Sequence, residues 1–192
     1  MPPATLSREE VIDRLMGVLR QQGYAGASLA ELSKATKLGK SSLYHYFPDG
    51  KDDMTRAVLA HLAAQLDQAL FSPLRTGGPP RPRLEAMVVT LNAFYRGGRE
   101  ACLLGNLVVG ETRERFHHEV AAIFEEWIAA IATVLRDAGF AKGLARTRAE
   151  DAVVRIEGAL VVAQGSGNRE VFERTLRRLP ADLVASAASR RG

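Results

Sequence analysis

Cysteine is almost missing from this chain. Cys102 is the single one in 192 residues, so no intrachain disulfide forms and nothing points to an oxidising compartment. No apolar run approaches membrane-spanning length, and the N-terminus carries no stretch resembling a signal peptide. The expectation is a cytoplasmic protein with no membrane partner. Runs of alternating apolar and polar residues, the mark of a half-buried strand, are missing too, and no internal repeat is present. Neither a Ser-His-Asp arrangement nor a glycine-rich nucleotide loop occurs, so no cofactor and no enzyme activity are expected. Aromatic residues make up only 6%, while hydrophobic residues reach 46% and charged ones 25%, the balance of an ordinary folded protein.

What is present is helical punctuation. Ser7-Arg-Glu-Glu10 is a capping box, followed by Val11, Ile12, Leu15, Met16, Val18 and Leu19 at helical spacing and by Gly23 as a stop. Ser28-Leu-Ala-Glu31 reads as a second capping box and Thr147-Arg-Ala-Glu150 as a third. Further helices are expected over about 51–70, 84–96, 100–109 and 113–138, then from Thr147 to Gly165, and from Asn168 onward with a kink at Pro180. Ser72 to Pro82 is proline- and glycine-rich and reads as a loop, though its prolines remove the amides a phosphate cradle needs. The fold class is all-α.

The most informative stretch is 28–51. It reads as two short helices about a turn, Thr36-Lys-Leu-Gly39, with Gly39 as N-cap of the second. That second helix buries Leu43 and Phe47 and turns Lys40, Ser41, Tyr44 and His45 outward; Ser42 and Tyr46 complete a contact-ready set, and Lys51 opens the next helix. The net charge of +4 is mild, but within residues 34–51 Lys34, Lys37, Lys40 and Lys51 oppose only Asp49. A helix pair of this kind lays its second helix across the DNA major groove. Lysines, serines and the helix N-terminus suit phosphates; the tyrosine rings suit sugars or thymine methyls; His45 suits a base edge. A second basic region, 141–192, suggests no particular role.

The run Ser-Leu-Tyr-His-Tyr-Phe-Pro-Asp-Gly-Lys at 42–51 closes a stretch, 28–54, that resembles the DNA-binding signature of the TetR family of bacterial transcriptional regulators. The glycine before Lys51 and the stretch Ala-Cys-Leu-Leu-Gly-Asn-Leu at 101–107 are similar to the LmrA/YxaF branch of that family. Thr36-Lys37 and Gly39 depart from the usual turn, and a non-glycine at Lys37 there implies left-handed backbone. The resemblance implies a helix-turn-helix DNA-binding domain over 1–50 and a larger helical effector-binding and dimerisation domain over 51–192. It implies DNA contacts at Ser28, Lys40, Ser41, Ser42, Tyr44, His45, Tyr46 and Lys51, with Tyr44 and Lys51 on phosphates and Ser41, Ser42 and His45 reading bases.

A single recognition helix reads few base pairs, so a homodimer on a near-palindromic operator duplex is expected. Its face is sought among Val153, Ile156, Leu160, Val171, Phe172 and Leu176. A small apolar or aromatic effector is expected among Met87, Leu91, Phe94, Tyr95, Leu103, Asn106, Leu107, Phe116, His117, Val120, Phe124 and Trp127. Its binding would shift the hang of helix 51–70 and release the operator, the mode of a repressor. Two alternatives stand beside this. Cys102, near a helix start, is a candidate redox or electrophile sensor. Glu114, His117, His118 and Glu119 share a short stretch in which Glu114 and His118 form an i, i+4 pair; a metal site there would need a further cluster that the sequence lacks, and no metal is expected.

Overall fold

The computed structural model describes residues 6–110 and 112–185. Every regular element among them is helical. The helices are α1 (Arg8–Gly26), α2 (Leu29–Thr36), α3 (Lys40–Tyr46), α4 (Lys51–Leu66), α5 (Ser72–Arg75), α6 (Pro80–Phe94), α7 (Leu103–Leu107), α8 (Thr112–Arg115), α9 (His117–Asp137), α10 (Lys142–Ser166) and α11 (Glu170–Val184). A five-residue π-helical turn, Asp67–Phe71, joins α4 to α5. The chain divides into two compact units, Met1–Ala64 with Leu103–Val120, and Gln65–Cys102 with Ala121–Gly192.

In the first unit the Ser7 cap forms as the sequence requires. Ser7 Oγ accepts from Glu10 N at 3.1 Å while Ser7 N donates to the Glu10 carboxylate at 2.7 Å. At Ser28 only half of the expected box forms. Its hydroxyl accepts from Glu31 N at 3.3 Å, but the Glu31 carboxylate turns to Gln22 Nε2 at 3.0 Å. Gly23 (φ 66°, ψ 177°) interrupts α1 without ending it, and the helix resumes to Gly26. Val11, Ile12, Leu15 and Leu19 of α1 are buried, as are Leu32, Leu43, Phe47, Met54, Val58 and Leu62.

The turn between α2 and α3 is held by side chains. Ser33 Oγ donates to the Leu38 carbonyl at 2.6 Å, and Thr36 Oγ1 accepts from Leu38 N at 3.4 Å while donating to the Leu32 carbonyl at 2.8 Å. Between them Lys37 sits in the left-handed region at φ 58°, as its place in the turn implies. Thr36 is fully buried, so its hydroxyl has no water to turn to.

Beyond the helix-turn-helix the structure departs from the sequence expectation in several places, and the helix expected over 100–109 is confined to Leu103–Leu107. Ser72–Arg75 is helical rather than loop, and Pro80 opens α6, where its missing amide costs nothing. Helix 113–138 is divided at Phe116 into α8 and α9. The third capping box is not a cap: α10 begins at Lys142, and Thr147 lies inside it with its hydroxyl donating to the Gly143 carbonyl at 3.2 Å. A threonine inside a helix resembles an N-cap when only spacing is read. Asn168 Oδ1 accepts from Glu170 N at 3.2 Å, but the N-cap of α11 is Arg169, which supplies no side-chain bond, so the expected Asn168 cap is displaced by one residue; Pro180 lies within α11.

Two buried arginines fasten the second unit. Arg83 donates to the Leu74 carbonyl at 2.8 Å and to the Asp137 carboxylate at 2.6 Å, tying the end of α5 to the end of α9. Arg148 donates to the Leu183 and Ala185 carbonyls at 2.7 and 2.9 Å and so caps the C-terminus of α11.

Replacing Lys37→Gly removes a left-handed side chain at a small entropic cost. A gain of about 0.5–1 kcal/mol is expected. Lys37→Val should instead destabilise. Thermal unfolding followed by circular dichroism distinguishes the two signs, and equal midpoints for both variants would show that residue 37 carries no strain.

Candidate nucleic-acid interface

Seven residues are too few for a stable isolated helix. α3 stands because Leu43 (0% exposed) and Phe47 (1%) anchor it from below. With that face fixed, Lys40, Ser41, Ser42, Tyr44, His45 and Tyr46 are all exposed, Tyr44 by 49% and Tyr46 by 40%. The structure therefore brings this predicted set onto one surface. Gly39 is the N-cap of α3 and supplies no side-chain hydrogen bond, so the first-turn amides remain available to an outside acceptor. His45 and Tyr46 stack edge to face, with centroids 5.8 Å apart. Gly50, beside the Tyr44 ring, has φ 68°, a left-handed conformation that favours glycine.

Ser28 is exposed, but its hydroxyl already caps α2. Lys51 is half-buried. Its Nζ donates to the Tyr24 carbonyl at 2.8 Å and lies 4.1 Å from the Tyr24 ring centroid. The Tyr24 hydroxyl donates to Asp52 Oδ1, whose other oxygen accepts from Arg115 Nη1 at 2.7 Å. Burial and the bond to Asp52 push the Tyr24 phenol up to about 12. Burial acts to raise the Asp52 carboxyl, but hydrogen bonds from Tyr24 and Arg115 outweigh it and hold the group below the usual carboxylate range. Sequence reasoning missed Tyr24, Asp52 and Arg115. The signal lay in a tyrosine directly after a helix-breaking glycine, while Arg115 is too distant in sequence to be found.

The candidate effector residues divide between the units. Met87, Leu91, Tyr95 and Trp127 are buried in the second, with Phe94 and Phe124 half-buried or more exposed. Leu103, Leu107, Phe116 and Val120 are buried in the first. His117, expected as a lining residue, is exposed. Asn106 uses its amide locally, donating to the Arg20 carbonyl at 3.0 Å.

The expected dimer face turns inward. Ile156, Leu160, Phe172 and Leu176 are buried in the chain's own core, as is Val153, and Val171 is half-buried. The exposed valines of α10 lie one helical step away: Val154 (70%), Val161 (66%) and Val162 (53%). Among the described residues no group of three or more His, Cys, Asp or Glu side chains is placed to hold a metal, and Glu119 pairs instead with Arg56 at 3.4 Å. No described helix is long and apolar enough to cross a membrane.

A short helix held from below, with a polar and aromatic row above and a tight turn before it, defines a helix-turn-helix DNA-binding protein. Residues 11–58 match the model for bacterial regulatory proteins of the tetR family, and residues 80–178 match the C-terminal domain of LmrA/YxaF-like transcriptional regulators. The transcriptional regulator AcuR of Cereibacter sphaeroides is 28% identical over 177 residues, covering 85% of this chain and 78% of that protein. The crystal structure of the regulatory protein TetR from Rhodobacter sphaeroides superposes with a TM-score of 0.80 at 24% identity, over 92% of this chain and 98% of that one. A cysteine mutant of the TetR-family regulator CifR, complexed with 26-bp double-strand operator DNA, superposes with a TM-score of 0.72 at 25% identity, over 93% of this chain and 98% of that one. The chain belongs to the TetR family of transcriptional regulators, in its LmrA/YxaF-like branch; it binds DNA and is not an enzyme.

One half-buried acid of the second unit has a perturbed carboxyl. Glu157 of α10 accepts from Tyr95 Oη at 3.4 Å and from the Cys102 thiol; burial raises its carboxyl, more than these bonds lower it. An acid whose folded value is raised binds its proton more tightly when folded, so its stabilising contribution is full below the unfolded value and is lost as pH rises through the folded one. Glu157→Gln keeps the acceptor and removes the titration. The gain in thermal midpoint over the parent should therefore be larger at about pH 8 than at about pH 4, and a gain independent of pH would contradict the assignment.

Proposed function

We propose that this protein is a cytoplasmic, homodimeric repressor that grips a near-palindromic operator and releases it when a small apolar or aromatic effector binds. Residues 1–50 read the DNA and 51–192 sense and dimerise. The observation that carries the DNA-reading half is the exposed row on α3, fixed by Leu43 and Phe47 beneath it. Tyr44 and Lys51 contact phosphates, together with Lys40, Tyr46 and Ser28, while Ser41, Ser42 and His45 read base edges. Lys51 donates once to Tyr24, which leaves two of its three N–H groups for a phosphate oxygen.

Dimerisation uses the exposed side of α10. Val154, Gly158, Val161 and Gly165 recur at i, i+4, i+7 and i+11, a straight stripe of small and branched residues on one helix face. Exposed valines on that stripe, beside Val162, suit close packing against a second copy. The effector occupies the apolar residues named above, chiefly Met87, Leu91, Phe94, Tyr95, Phe124 and Trp127 of the second unit. Leu103, Asn106, Leu107, Phe116 and Val120, the other residues expected to line the site, lie in the first unit, and effector binding shifts the population of operator-competent conformers. Burial of Cys102 against Glu157 disfavours the thiol-sensor alternative, because an electrophile must first reach the sulfur.

Operators recovered from a pool of random duplexes provide the test. Tyr44→Ala and Lys51→Ala should weaken selected and unrelated duplexes alike, whereas Ser42→Ala and His45→Ala should change which bases are preferred, by about 1–3 kcal/mol per base pair read. Unchanged affinity in both of the first two variants would remove the assigned DNA-facing surface. For the dimer, Val161→Arg should convert the protein to monomers by light scattering and lower operator affinity with it. A Val161→Arg protein that remains dimeric would place the interface elsewhere.

A further inference from the structure

We infer that Arg115 is a positioning residue for operator binding: it holds Tyr24 and Asp52, and through them presents the Lys51 ammonium to a DNA phosphate. The inference rests on the reading of Lys51 as a phosphate contact. Arg115 lies on α8, far along the chain from the helices that read DNA and outside residues 11–58 that match the DNA-binding family model.

The geometry forms a closed set. Lys51 Nζ is tied to Tyr24 twice, by the 2.8 Å bond to its carbonyl and by the ring centroid at 4.1 Å. Tyr24 follows the break at Gly23, where α1 leaves helical geometry, so local helical hydrogen bonding does not by itself fix the ring. Three groups from elsewhere fix it. Its hydroxyl is held by Asp52, the Arg115 guanidinium carbon lies 5.7 Å from its ring centroid, and the Phe116 ring packs at 5.5 Å. Arg115 closes the set by donating to Asp52 Oδ2 at 2.7 Å.

Charge adds a second reason. Asp52 is next to Lys51 at the start of α4, well within a Debye length of any phosphate that Lys51 touches. An uncompensated carboxylate there repels the phosphate and competes for the ammonium. With the Arg115 guanidinium on one oxygen and the Tyr24 hydroxyl on the other, the carboxylate is engaged at both ends and Lys51 is left to the DNA. Arg56, whose guanidinium carbon lies 5.7 Å from the Phe116 ring, and Glu119, paired with it, extend the same brace along α4 without reaching Lys51.

The competing account is an ordinary surface ion pair that holds α8 in place and leaves DNA binding untouched. A double-mutant cycle on the full-length protein separates the two. The probe is an operator duplex recovered from random sequence, with affinity measured across a range of salt concentrations. Arg115→Ala should weaken binding about tenfold at ~0.1 M salt. The slope of log affinity against log salt should fall by about 0.9 for each phosphate that the protein no longer neutralises. Combined with Lys51→Ala, it should cost no more than Lys51→Ala alone. Arg115→Lys, which keeps the charge beside Asp52, should recover part of the affinity. Tyr24→Phe removes only the hydroxyl and should move the salt slope in the same direction, which keeps the test decisive if Arg115→Ala fails to fold. Unchanged affinity and slope in Arg115→Ala, or effects that add to those of Lys51→Ala, would overturn the inference while leaving Lys51 on its phosphate. A Lys51→Ala protein that binds as the parent does removes the phosphate reading itself, and the positioning role falls with it.

Discussion

The exposed row on α3, proposed to read DNA, depends on two side chains buried beneath it. Leu43 and Phe47, four residues apart on α3 and its C-cap, are both buried. Burying a leucine and a phenylalanine is worth about 1.5–3 kcal/mol each, enough to hold a helix that propensity would leave largely unformed. Once that spacing points downward, helical geometry sends Lys40, Ser41, Tyr44 and His45 the other way. The turn before it does the same work by hydrogen bonds: Ser33, Thr36 and the left-handed Lys37 fix where α3 begins and so the register of every exposed residue on it.

Around this small structure, aromatic rings and cations do the joining that a 6% aromatic content has to ration. Tyr24 meets Lys51, Arg115 and Phe116, and Phe47 carries Arg8 at 5.8 Å from its ring centroid. His61 of α4 reaches Asp13 of α1 at 2.9 Å, a further tie between the first and fourth helices. The segment 103–120 is part of this unit through Asn106 on the Arg20 carbonyl and Phe116 on Tyr24. The helix-turn-helix is therefore supported by residues far from it in sequence.

Legibility in the sequence followed the length scale of the interaction. The Ser7 box, the buried pair on α3, the cap by Gly39 and the exposed polar row were all readable, because each depends on residues within one or two helical turns. Thr147 was misread for the same local reason: a Ser or Thr three residues before Glu fits a cap equally well inside a helix. Ser28 was half right, because a glutamine on another helix offered Glu31 a better partner than its own cap. Arg115, Asp52 and Tyr24 meet only after folding, and no spacing rule connects them.

The dimer face shows why a helix's phase is harder to read than its existence. α10 is apolar on more than one side, with Ile156, Leu160 and Ala163 on one face and Val154, Val161 and Val162 on another. When both faces carry valine and leucine, periodicity gives the helix but not which side the chain itself uses. Ile156 and Leu160 face inward together with Val153 and five alanines, while Val154, Gly158, Val161, Val162 and Gly165 remain outside. That sorting has a physical basis. A core gains most from large side chains that fill it, whereas two identical helices meeting across a symmetry axis approach closest where the side chains are smallest. The outward face of α10, proposed above as the contact with a second copy, carries the small side chains that such an approach requires.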